Sequence, residues 1–214
     1  RDKLGLNTTP FPILIRIADL ADHIKLCLGK NATAPTVPNA AAWLAHYLGA
    51  VSEGNNLGVD RDFFFDHLKA GNCLILLDGL DEAQDKKARA NIAGLVRNVA
   101  SAYPDCRVVV TSRPPAYTGH ATIQGFDLAD IEPLDQETIR NFLQKWSEHL
   151  FLESDEKASR HRDELIAAVE SRREIASMAR NPVMLTALAV LHWHEKKLPN
   201  QRAELYESIL LWLA

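Results

Sequence analysis

The sequence predicts an α/β protein, a parallel sheet flanked by helices and followed by an all-helical part. Three observations carry this. The runs Phe11 to Ile17 (FPILIRI), Cys73 to Leu77 (CLILL) and Arg107 to Thr111 (RVVVT) are rich in branched apolar residues. They show no polar alternation, as expected of strands in a parallel sheet. Helical patterns separate these runs, which is the order of a doubly wound α/β sheet. Beyond Pro133 only helical stripes remain, so the boundary is placed near Glu132, dividing an α/β core (1–132) from a helical subdomain (133–214).

The elements follow in order. Phe11 to Ile17 reads as a buried strand with proline at its start, and Asp19 to Leu28 as a helix. The run NATAPTVP from Asn31 to Pro38 is loop chemistry. Asn39 is placed to cap a helix through Trp43, Tyr47 and Leu48, which the glycines and asparagines from Gly49 to Gly58 end. A short helix from Asp60 to Ala70 precedes CLILL, whose uniform apolarity suits a strand covered on both faces. Ala88, Ile92, Leu95, Val96, Val99 and Ala100 recur at helical spacing until Pro104 and Asp105. RVVVT is then another buried strand. In the second part the stripes are Ile139, Phe142, Leu143 and Trp146, then Leu165, Ile166 and Val169, then Met184 to Leu191, then Leu205 to Leu213. No fixed-period repeat runs through them.

Composition bounds the function. With 214 residues, 47% hydrophobic, 24% charged and ten each of glycine and proline, the chain is neither disordered nor collagen-like. A net charge of −4 is far from the basic excess of a domain that neutralises many phosphates, so direct nucleic-acid binding is not indicated. Cys27, Cys73 and Cys106 are odd in number and widely spaced, which fits reduced thiols in a cytoplasmic protein better than a disulfide framework or a zinc cluster. The apolar stretches Cys73 to Leu77 and Ile209 to Ala214 fall short of the roughly 18 residues of a membrane helix, and no secretory signal precedes them. Arg1 in place of methionine suggests an excerpt of a longer protein.

In open parallel sheets ligands bind beyond the carboxyl ends of the strands. After CLILL come Asp78, Gly79, Leu80, Asp81 and Glu82. An apolar strand ending in aspartate is how phosphate-binding NTPases hold magnesium, and crowded carboxylates ask for a cation or a hydrogen-bonding network. The other reading is an Asp-Gly turn with solvated acids. After RVVVT come Ser112, Arg113 and Pro114. If the strands are neighbours, the Arg113 guanidinium lies at the same edge, where it can meet a phosphate. Alternatively it caps the turn or pairs with a surface acid.

With these pieces in view, the sequence resembles the NACHT NTPases, P-loop signal-transduction ATPases of the STAND class. The matching segments are FPILIRIADLA, CLILLDGLDEA, RVVVTSRPP, IEPLDQETIRNFLQKW, ARNPVMLTALAVLH and LPNQRAELYESILLWL, in the family's order and over nearly the whole chain. The resemblance implies that Asp78 is the Walker B aspartate, holding Mg2+ through a water. Glu82, or less favourably Asp81, orients or deprotonates the attacking water, and Arg113 is the first sensor of the terminal phosphate. Pro182, in Arg180-Asn181-Pro182, resembles the proline that packs on the adenine ring of ATP or ADP; helix initiation is its simpler role.

One departure is large. The family's phosphate-binding loop, GxxxxGK followed by Ser or Thr, is absent. The sole Gly-Lys pair, Gly29-Lys30, is followed by Asn31 and has Ile24 where the first glycine belongs. The expectation is that the loop, its strand and its helix lie upstream of Arg1, that Arg1 to Thr9 is the link after that helix, and that a winged helix follows Ala214. Without the loop's backbone nest and lysine, the chain alone is expected to hydrolyse no ATP.

The implied parent is a nucleotide-dependent switch that holds ADP, exchanges it for ATP, self-associates and drives an effector, in innate immunity or defence. Its effector and sensor domains would lie in the same polypeptide. A non-hydrolysing scaffold or oligomerisation module is the alternative. A magnesium-dependent nuclease is disfavoured by the charge.

Other constellations are weaker. His192, His194 and Glu195 invite a zinc reading, but the two histidines stand about 200° apart on a helix and do not converge. Trp43, Trp146, Trp193 and Trp212 sit on helical patterns as core or interface anchors. Phe63, Phe64 and Phe65 cannot share one helix face, so one is expected to meet a neighbouring subdomain or partner.

Overall fold

The computed structural model describes residues 9–30, 33–195, 198 and 202–213. The link expected over Arg1 to Thr9 lies outside the described residues except for Thr9, and so do the side chains of Glu195, Leu205, Trp212 and Leu213. The three apolar runs form strands β1 (Phe11–Arg16), β2 (Cys73–Asp78) and β3 (Arg107–Val110). They pair in parallel in the order β1-β2-β3, with Arg16 opposite Asp78 and Leu77 opposite Val110. Helices α1 (Ile17–Cys27), α2 (Trp43–Gly54) and α3 (Arg61–Lys69) connect β1 to β2, and α4 (Lys86–Ala102) connects β2 to β3.

Local chemistry sets the helix starts. Asp60 accepts from the Phe63 N–H at 2.9 Å to cap α3, and Asp85 accepts from the Ala88 N–H at 2.8 Å to cap α4. Asn39 does not cap α2. That helix begins at Trp43 after Ala42, without a side-chain cap, while the Asn39 carbonyl accepts from Asn98 Nδ2 at 2.7 Å and ties the loop to α4. α2 runs past Gly49 and ends at Gly54, with Asn55 as its C-cap, inside the stretch of glycines and asparagines expected to end it. A Cβ on Gly49 would come within 2.9 Å of Arg61 Cβ, so this glycine marks the close approach of α2 to α3.

Among the described residues the sheet is covered on one face. Ile13, Ile15, Cys73, Ile75 and Leu77 point into a core with Leu20, Trp43, Leu44, Leu68, Leu95 and Val96, all nearly inaccessible. The opposite face differs from the expectation of strands buried on both sides. There Leu14 is 69% and Val109 48% exposed, and Leu74 and Leu76 are only partly covered. β3 is also an edge strand of the sheet, with alternate residues in solvent.

Phe63, Phe64 and Phe65 find partners within the same unit. Phe64 is buried, Phe63 packs edge-on against Phe11 and His67, and Lys69 lies over the Phe65 ring.

Contacts divide the chain into Arg1–Asp127 and Leu128–Ala214. The segment 128–133 is exposed and without regular structure. The second unit contains α5 (Gln136–Leu150), α6 (Asp155–Glu170), α7 (Arg173–Ala179), α8 (Pro182–Glu195) and α9 (Arg202–Leu213). Its core is Ile139, Leu143, Leu165, Val169, Ile175, Leu185 and Leu188. Asp135 and Ser154 cap α5 and α6 through the N–H groups of Thr138 and Lys157. Among the described residues no helix is long and apolar enough to cross a membrane.

Candidate functional site

The carboxyl edge of the sheet gathers the polar residues that follow the strands. β2 ends at Asp78, with Arg16 of β1 beside it in register. The ladder on the other side extends past β3, because Thr111 N–H donates to the Leu77 carbonyl at 3.0 Å and Leu80 N–H to the Thr111 carbonyl at 2.9 Å. This extension fixes the Thr111 side chain. Its hydroxyl donates to Asp78 Oδ1 at 2.6 Å and accepts from the Gly79 N–H at 2.9 Å. A residue that both donates to a carboxylate and accepts from the next backbone amide holds the strand end in one geometry.

Gly79 turns the chain with φ of 78°, in the left-handed region, and a Cβ there would stand 3.0 Å from Glu82 Cδ. Glycine is therefore required between the two acids. The tight turn Leu80–Glu82 follows, with Leu80 fully buried as its anchor. Asp81 accepts from the Arg113 backbone N–H at 3.1 Å and pairs with Arg113 Nε at 3.3 Å. The Asp81 side chain is 16% exposed and that of Arg113 83%, so the acid is anchored while the guanidinium stands in water. Glu82 pairs with Arg16 Nη2 at 3.6 Å. Such exposed ion pairs contribute roughly 0–1 kcal/mol each, little enough to exchange for another partner.

Asp78, Asp81, Glu82 and Arg113 are thus brought to one edge. The three carboxylates do not converge on a point; each has its own partner, Thr111, Arg113 and Arg16 respectively. Like-charge crowding is relieved by two arginines and a hydroxyl. Among the described residues no group of three or more His, Cys, Asp or Glu side chains is arranged to hold a metal ion. Pro182 belongs to the second unit, where it is the exposed first residue of α8. Asn181 Oδ1 accepts from the Val183 and Met184 N–H groups and caps that helix.

Sequence reasoning gave no role to Thr111 or Arg16. Their signals are a hydroxyl residue immediately after an apolar run and the lone charge inside FPILIRI.

Other polar groups lie elsewhere. A cavity of about 1080 Å³, lined in part by His23, Cys27, His46, Ser52, Asp60 and Arg61, shares no residue with the sheet edge. In its wall His23 Nε2 and His46 Nδ1 are 2.8 Å apart. Burial first, and then His46, pushes His23 below the ordinary histidine value; burial, then Arg61, does the same to His46. In the second unit His192 is buried and His194 exposed, so they face apart. Trp43 is a core residue whose Nε1 donates to the Val37 carbonyl at 2.8 Å, Trp146 stacks on Phe142, and Trp193 meets Phe151 and His161. Comparisons with protein-family models, curated proteins and solved structures found no match.

Proposed function

We propose that the chain is part of a NACHT-type ATPase, a nucleotide-dependent signalling switch of the P-loop class working in the cytoplasm. The observation that carries this is the hydrogen-bonded edge itself: on adjacent parallel strands, Asp78 is set by Thr111, and Arg113 follows two residues later paired with Asp81. In this role Asp78 holds Mg2+ through a water, as one carboxylate among water and phosphate oxygens, which needs no cluster of protein ligands. Glu82 positions the attacking water, with Asp81 as the second candidate. Arg113 turns from Asp81 to the terminal phosphate, a move its exposed guanidinium permits. Pro182 offers a flat apolar face to the adenine.

The bare face and edge of the sheet support the same reading. Parallel crossovers are right-handed in about 98% of cases. In the order β1-β2-β3 both crossovers step the same way, and right-handedness puts their helices on one face. A strand seated beside β3, followed by a helix returning to β1, would step the opposite way. Its helix would then lie over Leu14, Leu76 and Val109, and its loop would emerge beside Thr111 and Asp78. A strand, phosphate-binding loop and helix upstream of Arg1 fit that position. We propose that they complete the site, and that self-association and the effector and sensor regions belong to the whole protein.

The test is ATP hydrolysis with magnesium by the protein from the complete reading frame. The expected result is slow turnover, reduced at least about 10²-fold by Glu82→Gln with nucleotide still bound. Turnover unchanged in Glu82→Gln would remove the proposed role of this edge. A whole protein that binds no nucleotide would favour a non-hydrolysing scaffold.

A further inference from the structure

The opposite edge of the same two strands holds a pair of thiols that neither the apolar pattern nor the proposed ATPase uses. The register that sets Leu74 opposite Arg107 makes Cys73 and Cys106 lateral neighbours, one step before it. Residue alternation puts both on the helix-covered face, since Arg107 is exposed and Cys73 shares its face with buried Ile75. Cys73 is 1% and Cys106 9% exposed. Cys73 Sγ donates to Asn72 Oδ1 at 3.9 Å and Cys106 Sγ to the Leu68 carbonyl at 3.3 Å. Both thiols are free. Neighbouring strands lie about 4.8 Å apart, inside the Cα separation of roughly 4.4–6.8 Å that a disulfide spans.

We propose that Cys73 and Cys106 are a redox modification site, closing reversibly to a cross-strand disulfide by exchange with a low-molecular-weight disulfide. The bond fastens the amino-terminal ends of β2 and β3, whose other ends carry Asp78 and Thr111. Cys106 is the more accessible thiol and reacts first. Its thiolate attacks one sulfur of the small disulfide, breaking that S–S bond, forming a mixed disulfide and releasing one small thiol. Cys73 then loses its proton to solvent and attacks the Cys106 sulfur, releasing the second small thiol. Two protein thiols are oxidised and one disulfide is reduced. Burial, then the neighbouring Cys106, pushes the Cys73 thiol up to about 12, so thiolate is scarce and closure speeds up about tenfold per pH unit through the neutral range.

Cys27, on α1, is the third free thiol and is partly exposed. The experiment therefore uses Cys27→Ser, equilibrated across ratios of glutathione to glutathione disulfide and quenched with acid. Intact mass separates the internal disulfide, lower by two hydrogens, from glutathione adducts. Peptide mapping identifies the residues, and the same protein unfolded in urea gives the reference. The expected result is that folded protein favours the internal bond over mixed disulfides at least about tenfold more than unfolded protein does. Cys73→Ala in the same background should stop at the Cys106 adduct. An internal bond no more favoured in the folded than in the unfolded protein, or one absent when folded and formed when unfolded, would overturn the proposal.

Discussion

On one face of the sheet Ile13, Ile15, Ile75 and Leu77 are at most 3% exposed, while on the other Leu14 stands 69% and Val109 48% exposed. Both faces carry branched aliphatic side chains, so side-chain hydrophobicity does not account for the difference. Connectivity does: two crossovers stepping in one direction supply helices to a single face. The first face is close-packed, and the second is open to solvent among the described residues.

The sharpest way to break that comparison is to truncate both faces alike. Leu77→Ala should cost about 2–5 kcal/mol of unfolding free energy, through lost transfer and the cavity left behind. Equal losses for Leu77→Ala and Leu14→Ala in urea titrations would mean that the open face is packed after all. A smaller effect is expected at the carboxyl edge. Thr111→Val keeps the shape but leaves the Gly79 N–H and Asp78 without their shared partner, for about 1–2 kcal/mol by the same titration.

Next comes acid. His23 and His46 have depressed values in the folded state, so the unfolded chain binds protons more readily there. Their contribution is fully present above the ordinary value of 6.5 and is lost as the pH falls below it through the depressed folded values. The first unit should weaken from pH 7 towards pH 5, and His23→Gln should flatten that slope in thermal unfolding followed against pH. A slope unaltered by this change would place the acid sensitivity elsewhere. The least effect belongs to Leu14→Ala, within about 0.5 kcal/mol.

The strands were legible because uninterrupted branched apolar residues bounded by Gly71, Asn72 and Pro104 leave few alternatives. Which face would be covered was not legible, since Leu14 and Ile15 look alike in sequence and only the strand order separates them. Asp78, Asp81, Glu82 and Arg113 could be assigned to one edge because residues that follow parallel strands share it. Their separate partners could not. Arg16 reaches Glu82 across the β1–β2 register, and Thr111 reaches Asp78 because the ladder runs one step past β3. The Cys73–Cys106 neighbourhood depends on the same register over 33 positions of sequence, which spacing alone does not disclose. Asn39 carries the chemistry of a cap, yet α4 takes its carbonyl instead.

The most direct test of the central claim, that the carboxyl edge of β2 and β3 is a magnesium-nucleotide site, is equilibrium binding of ATP to the protein from the complete reading frame, with and without Mg2+. The comparison is between wild type and Asp78→Asn, with circular dichroism confirming that both are folded. The account predicts that magnesium tightens ATP binding to the wild type by about tenfold or more and that Asp78→Asn loses this increment. The same magnesium increment in both proteins, or no ATP bound by either, would contradict it.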